Sequence, residues 1–184
     1  MLAVTRFSKL LLLSGCLSVA GCACVTTSID SELAEMVADV ANLYAADARL
    51  SVWEVKVNEK SDGWTIEGKT DRKEALDELN SRLHAKKMPV GVRVTVLPQD
   101  NAQIGDKPWA LVNVSVATVQ KEPRFAVAAT TQALAGTPLR LLEFKAPFWR
   151  VQMPDGYIGW VHRLQIARMS EQELSDWNAS QRVV

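Results

Sequence analysis

Cysteine is scarce in this sequence and stops early. The three cysteines are Cys16, Cys22 and Cys24, and no thiol follows. That excludes a disulfide framework, a Cys-x-x-Cys redox pair and any Cys/His zinc spacing. Histidine is equally thin: His84 lies in a lysine-rich helix end and His162 in or beside a short strand, and each reads as structural. No glycine-rich phosphate loop is present. Charge of one sign is not in excess either, with 21 basic residues against 21 acidic ones. No basic stripe is interleaved with aromatics, so the electrostatic footprint of a nucleic-acid binder is missing. The neighbouring carboxylates Glu171 and Glu173 read as the solvated first turn of a helix rather than a glycosidase pair. The chain therefore offers no catalytic constellation, no cofactor site and no metal site.

What is present begins at the N-terminus. Arg6 and Lys9 precede the apolar run Leu10–Val19, which is too short to span a bilayer as a stable helix. It ends in Val19-Ala20-Gly21-Cys22. Small residues before a cysteine resemble a lipoprotein signal; the alternative is an ordinary signal peptide cut at a small-residue site. The resemblance implies that residues 1–21 are removed and that Cys22 is diacylated and becomes the new N-terminus, with residues 22–30 as a lipidated linker. Each buried methylene contributes about 0.8 kcal/mol, so two or three acyl chains make a lasting membrane anchor. Ala23, rather than Asp, follows the cysteine, which by the same resemblance points to the outer membrane where a cell has one. Losing Arg6 and Lys9 leaves 19 basic residues against 21 acidic ones. Cys24 is a second acylation site, an intermolecular partner or an exposed thiol.

Residues 31–98 read as a small α/β unit. Ser31 is a candidate N-cap for Leu33, Met36, Val37, Val40, Ala41 and Tyr44 at helical spacing. Leu50–Val57 reads as a strand, Asp62-Gly63 as a hairpin turn, and Trp64–Gly68 as the second strand. Thr70 or Asp71 caps a helix carrying Ala75, Leu76, Leu79 and Leu83 on one face, and Lys86 and Lys87 suit its C-terminal dipole. Val90–Leu97 is the third strand. The order is helix, hairpin, helix, strand, with one amphipathic helix on a three-stranded sheet. Residues 99–107 are polar and read as a linker.

The remainder alternates in short runs broken by turn signals, as a small antiparallel barrel does. Trp109–Val119 is one alternating run. Thr130–Leu134 leads into Gly136-Thr137-Pro138, and Pro138–Phe144, Phe148–Met153, Tyr157–Val161 and Arg163–Ile166 are four short strands. Trp149, Val151 and Met153 share a face. One large aromatic buries about 150–250 Å², so most of these aromatics are structural. Ser170-Glu171-Gln172-Glu173 fits a capping box for a short helix within residues 169–184. The fold class is α+β, with the α/β unit ahead of an all-β barrel at residues 108–168.

Two quoted runs, TQALAGTPLRLLE and FWRVQMPDGYIGWV, resemble the bacterial SH3-like (SH3b) domain of NlpC-type cell-wall cysteine peptidases, among them γ-D-glutamyl-L-diamino-acid endopeptidases. LVNVSVATVQKEP is similar to its entry strand. The α/β unit resembles the small domain preceding the barrel in some of these enzymes, and more loosely a BON-type module. Those peptidases need a nucleophilic Cys with a His base, which this chain does not offer after Cys24. The resemblance then implies a non-catalytic cell-envelope lipoprotein whose barrel binds peptidoglycan stem peptide or docks an envelope protein. The alternatives are the targeting and recognition part of such an endopeptidase with its catalytic domain encoded elsewhere, or a structural spacer. Tyr157 matches the substrate-facing aromatic; otherwise it packs on Thr131–Leu134. Thr137 stands where those enzymes can carry a Glu for the peptide's amine. Asp155 is either a substitute acid or a turn former. Trp149 and Trp160 read as core or rim.

Overall fold

The computed structural model describes residues 21–61, 63–99 and 103–180, with side chains from residue 29 onward. Residues 1–20 of the expected signal peptide at 1–21, the side chain of Cys22, the turn residue Asp62 and residues 100–102 of the expected linker lie outside the described residues.

Helix α1 spans Gly21–Tyr44. Ser31 is therefore internal to it and is not its cap, because the Cys22–Asp30 stretch has no Gly or Pro to stop the helix. Leu33, Met36, Val37 and Val40 are buried at helical spacing against Ala75, Leu79 and Leu83 of α2 (Lys73–Ala85). The N-cap of α2 is Arg72, and no side chain caps it. Thr70 instead accepts a hydrogen bond from the Arg72 N–H at 3.0 Å through its hydroxyl. Two helices, not one, thus cover the small sheet.

That sheet has the order β1 (Lys56–Lys60), β2 (Gly63–Thr70), β3 (Val90–Val96). β1 pairs antiparallel with β2, whereas β2 and β3 are parallel and are joined across α2. The strand expected at Leu50–Val57 starts later. Before Lys56 the chain makes only an isolated bridge, Trp53 to Thr70. Gly68 explains the departure. A Cβ there would stand 2.0 Å from the Glu54 carbonyl oxygen, so only glycine lets this segment press against β2. Residues 49–55 become a strap between the two halves. Val52 packs with Leu97, Leu142 and Ile158. The Ile158 N–H donates to the Arg49 carbonyl at 2.7 Å, and the Gln99 N–H to the Leu142 carbonyl at 2.9 Å. β-Branched residues buried on both sides read as a strand; here they are buried by two different neighbours.

The second sheet is antiparallel, with the order β10-β4-β7-β8-β9-β5-β6. Its strands are β4 (Trp109–Val112), β5 (Val116–Gln120), β6 (Ala129–Leu134), β7 (Pro138–Lys145), β8 (Phe148–Gln152), β9 (Ile158–His162) and β10 (Ile166–Met169). It wraps one core in which Val119, Leu139, Leu141, Val151 and Val161 are fully buried, with Trp149 beside them. This is an SH3-like arrangement in an α+β chain. Ile104, from the segment read as a linker, is buried in that core.

Two expected strands are corrected. Trp109–Val119 is broken at residues 113–115, where the chain turns a corner from β4 to β5. The Asn113 N–H donates to Gln165 and the Ala135 N–H to the Ser115 carbonyl, at 3.0 and 3.1 Å. Arg163–Ile166 is mainly a 3-10 turn, Arg163–Gln165, and β10 follows it. The chain has to cross from β9 to β4 within those residues, which a straight strand could not do. Last comes α3 (Glu171–Ala179), with the expected capping box: Ser170 and Glu173 exchange both hydrogen bonds.

Candidate functional site

The turn that carries Tyr157 is built locally. Pro154 and Asp155 reverse the chain after β8, and Gly156 takes φ +89°, a left-handed conformation that favours glycine. The Tyr157 N–H donates to Asp155 Oδ1 at 3.0 Å. The Gly156 and Met153 N–H groups donate to Met153 and Tyr157 carbonyls, each at 2.9 Å. Asp155 therefore works as a turn former, and its carboxylate is exposed beside the ring-bearing residue. Tyr157 is half-buried.

Its ring is met from the other half of the molecule. The Arg49 guanidinium carbon lies 5.7 Å from the Tyr157 ring centroid. Arg49 is itself gripped by Asp47 through Nε and Nη2, at 3.0 and 2.8 Å. The side-chain hydrogen bond from Arg49, and then the bond from its backbone N–H, lower the Asp47 carboxyl from 3.8 to about 2.

Thr137 is half-buried and its backbone is committed, donating to Leu134 and accepting from Val112. Its neighbour Pro138 and Pro154 of the Tyr157 turn line one groove of about 400 Å³, together with Leu174 and Asn178 of α3. The structure thus brings Asp155 and Tyr157 into direct contact, and leaves Thr137 next to Pro138, which lines an adjoining groove. Trp149 belongs to the barrel core. His84 is exposed at the end of α2. His162 sits beside Phe125 and Phe148, at 5.5 and 5.4 Å between ring centroids, and its Nδ1 accepts from the Leu164 N–H.

A second constellation had escaped the sequence reading. Glu143 of β7 and Arg150 of β8 are cross-strand partners, and both are buried. Arg150 Nη1 lies 3.0 Å from Glu143 Oε1, close enough for an ion pair but out of line for a hydrogen bond. Lys69 of β2 also pairs with Glu143, and Glu54 of the strap pairs with Arg150 Nη2. The Arg150 guanidinium lies over the Trp160 ring, 4.6 Å from its centroid. Beside it a cleft of about 200 Å³ opens between the two halves, lined among others by Trp53, Glu54, Lys121 and Trp160. One signal in the sequence pointed here: Glu143 and Arg150 interrupt the apolar runs Leu141-Leu142 and Phe148-Trp149. The shift in register between Leu141 and Glu143 does the rest, since it turns Leu142 out of the barrel core and toward the strap.

Residues 119–166 match the family model of the bacterial dipeptidyl-peptidase Sh3 domain. This region thus resembles an SH3b domain of that type. It holds the Tyr157 turn and the Glu143–Arg150 pair. Among solved structures, NlpC2 from Trichomonas vaginalis is similar at 24% identity over 32% of this chain and 22% of that one, with a TM-score of 0.29. The chain spans about a fifth of the length of that protein, at 22%. No curated protein matches the chain.

Proposed function

We propose that the barrel recognises the stem peptide of peptidoglycan at the Pro154–Tyr157 turn, and that the protein is a non-catalytic envelope lipoprotein held to its membrane through Cys22. The observation that carries this reading is the half-buried Tyr157 ring, presented on a turn fixed by Asp155, inside the span that matches the bacterial Sh3 domain. A phenol so placed stacks on a peptide and donates or accepts one hydrogen bond. The adjoining groove between Pro138 and Pro154 gives the peptide chain room to lie toward Thr137. Thr137 supplies no negative charge for the peptide's amine, so Asp155 is the acid within reach of that turn. The affinity is weak, in the micromolar-to-millimolar range, or about 4–8 kcal/mol.

The test is a titration of an L-Ala-γ-D-Glu-diamino-acid peptide into the isotope-labelled protein. Resonances of Tyr157, Asp155 and Gly136 should shift, and Tyr157→Ala should abolish the shifts with the fold intact. An absence of shifts at millimolar peptide, or their persistence in Tyr157→Ala, removes Tyr157 from recognition and leaves protein docking as the barrel's role. The anchor is tested separately: Cys22→Ser should lose incorporation of labelled fatty acid.

A further inference from the structure

The cleft between the α/β unit and the barrel holds an arginine with more cationic capacity than its fixed partner uses. The Arg150 side chain is 9% exposed and that of Glu143 is 5% exposed. Glu143 is also paired with Lys69, so the buried acid has two cations against it. Arg150 turns its other terminal nitrogen, Nη2, to Glu54, whose side chain is 52% exposed. The buried acid and its lysine are a fixed background. The exposed Glu54 is an exchangeable partner, because a carboxylate already in water gives up little by leaving.

The guanidinium itself cannot leave. It is pinned on the Trp160 face and shut off from bulk water, where its planar fork favours a carboxylate over other acceptors. Its Nη1 is buried and makes no hydrogen bond. Lys121 puts a second cation on the rim, and Trp53 and Ile158 supply apolar wall. Gly159, also in the lining, lets β9 pack directly on β5, because a Cβ there would stand 2.5 Å from Val119.

We propose that this cleft is a carboxylate-binding site for a short acidic ligand, of the size of an N-acylated acidic amino acid, and that Glu54 closes it by occupying the ligand's place on Arg150. A ligand carboxylate and the Glu54 carboxylate are alternatives on Arg150 Nη2, and the second carboxylate of such a ligand falls to Lys121 on the rim. The Gly68 contact fixes the Glu54 backbone, so the exchange is a swing of one side chain and not a parting of the two halves. The site is separate from the Tyr157 turn and does not rest on it.

The experiment titrates N-acetylglutamate, its uncharged diamide and 1,4-diaminobutane into the full chain, following amide resonances of Trp160, Arg150 and Glu54. N-acetylglutamate should bind saturably and the other two should not. Glu54→Gln removes the internal competitor, so the apparent affinity should rise about tenfold if the closed form holds about nine-tenths of the molecules. Lys121→Gln should weaken binding about threefold, in the range of an exposed charge pair. Arg150→Lys should weaken it further, and Lys121→Gln remains informative if that variant does not fold. No saturation at tens of millimolar, equal binding of the diamide, preference for the diamine, or unchanged or weaker binding in Glu54→Gln would each overturn the proposal. Tyr157→Ala should leave this binding unchanged, which keeps the result distinguishable from the titration at Tyr157.

Discussion

The Pro154–Tyr157 turn and the Glu143–Arg150 cluster lie on the same barrel and are held by opposite means. The turn is secured by residues two to four positions away, Asp155 and Met153. The cluster is secured by Lys69 and Glu54, which are 74 and 96 positions from their partners. The turn is exposed, and each of its bonds competes with water. The Glu143–Arg150 pair at the centre of the cluster is buried, and each of its charges depends on the other. Damage to the turn should stay local, whereas damage to the cluster should be felt across both halves of the molecule.

The largest effect expected is at Arg150. Arg150→Ala leaves the buried Glu143 with Lys69 as its remaining cation and should cost about 3 kcal/mol, while replacing Arg150 and Glu143 together by leucines should cost far less. Denaturant midpoints of the two variants decide this, and equal losses would mean that the charges are not what matters there. Gly68→Ala comes next. Its Cβ collides with the Glu54 backbone, and a loss of about 3 kcal/mol is expected, together with displaced resonances in the strap. A mild effect would show that strap and sheet can part without cost. Ser170→Ala removes one arm of the α3 capping box and should cost about 1 kcal/mol in a thermal or denaturant melt, with no change at Glu54 or Arg150.

The smallest effect is a titration. Asp47 has a lowered pKa, so the stabilisation it shares with Arg49 is complete above its ordinary value of 3.8 and is lost as the pH falls through about 2. NMR of its carboxyl carbon should give a midpoint of about 2, moving toward 3.8 in Arg49→Ala. A midpoint that ignores the variant would detach Asp47 from the arginine that covers Tyr157.

The same contrast explains what could be read from the sequence. The Tyr157 turn, the α3 capping box and the apolar face of α2 are set by residues within one turn of each other, and their spacing announces them. The interior face shared by Trp149, Val151 and Met153 follows from period-two alternation in the same way. The strap at residues 49–55 was misread because β-branched residues look the same whether a sheet or a neighbouring unit buries them. The corner at residues 113–115 was missed because Asn113 and Ser115 continue the alternation while their backbones leave the ladder. The partners of the Glu143–Arg150 pair were beyond reach of any local pattern: both charges were visible, but Lys69 meets Glu143 and Glu54 meets Arg150 only through tertiary structure.

The position of β4 has a consequence for how the chain is made. β4 is the first strand of the barrel to be synthesised, yet it lies between β7 and β10, which is the last. The β1–β3 unit has all its strands by Val96, so it can settle while the rest is still being translated. The barrel cannot: one edge of β4 has no ladder partner until Ile166–Met169 arrives. For the whole interval in which residues 113–165 are added, Trp109–Val112 presents a bare, apolar edge to its surroundings. The ribosome-bound intermediate is therefore a finished small domain trailing an open sheet, and a stop before residue 166 would leave that edge exposed for good.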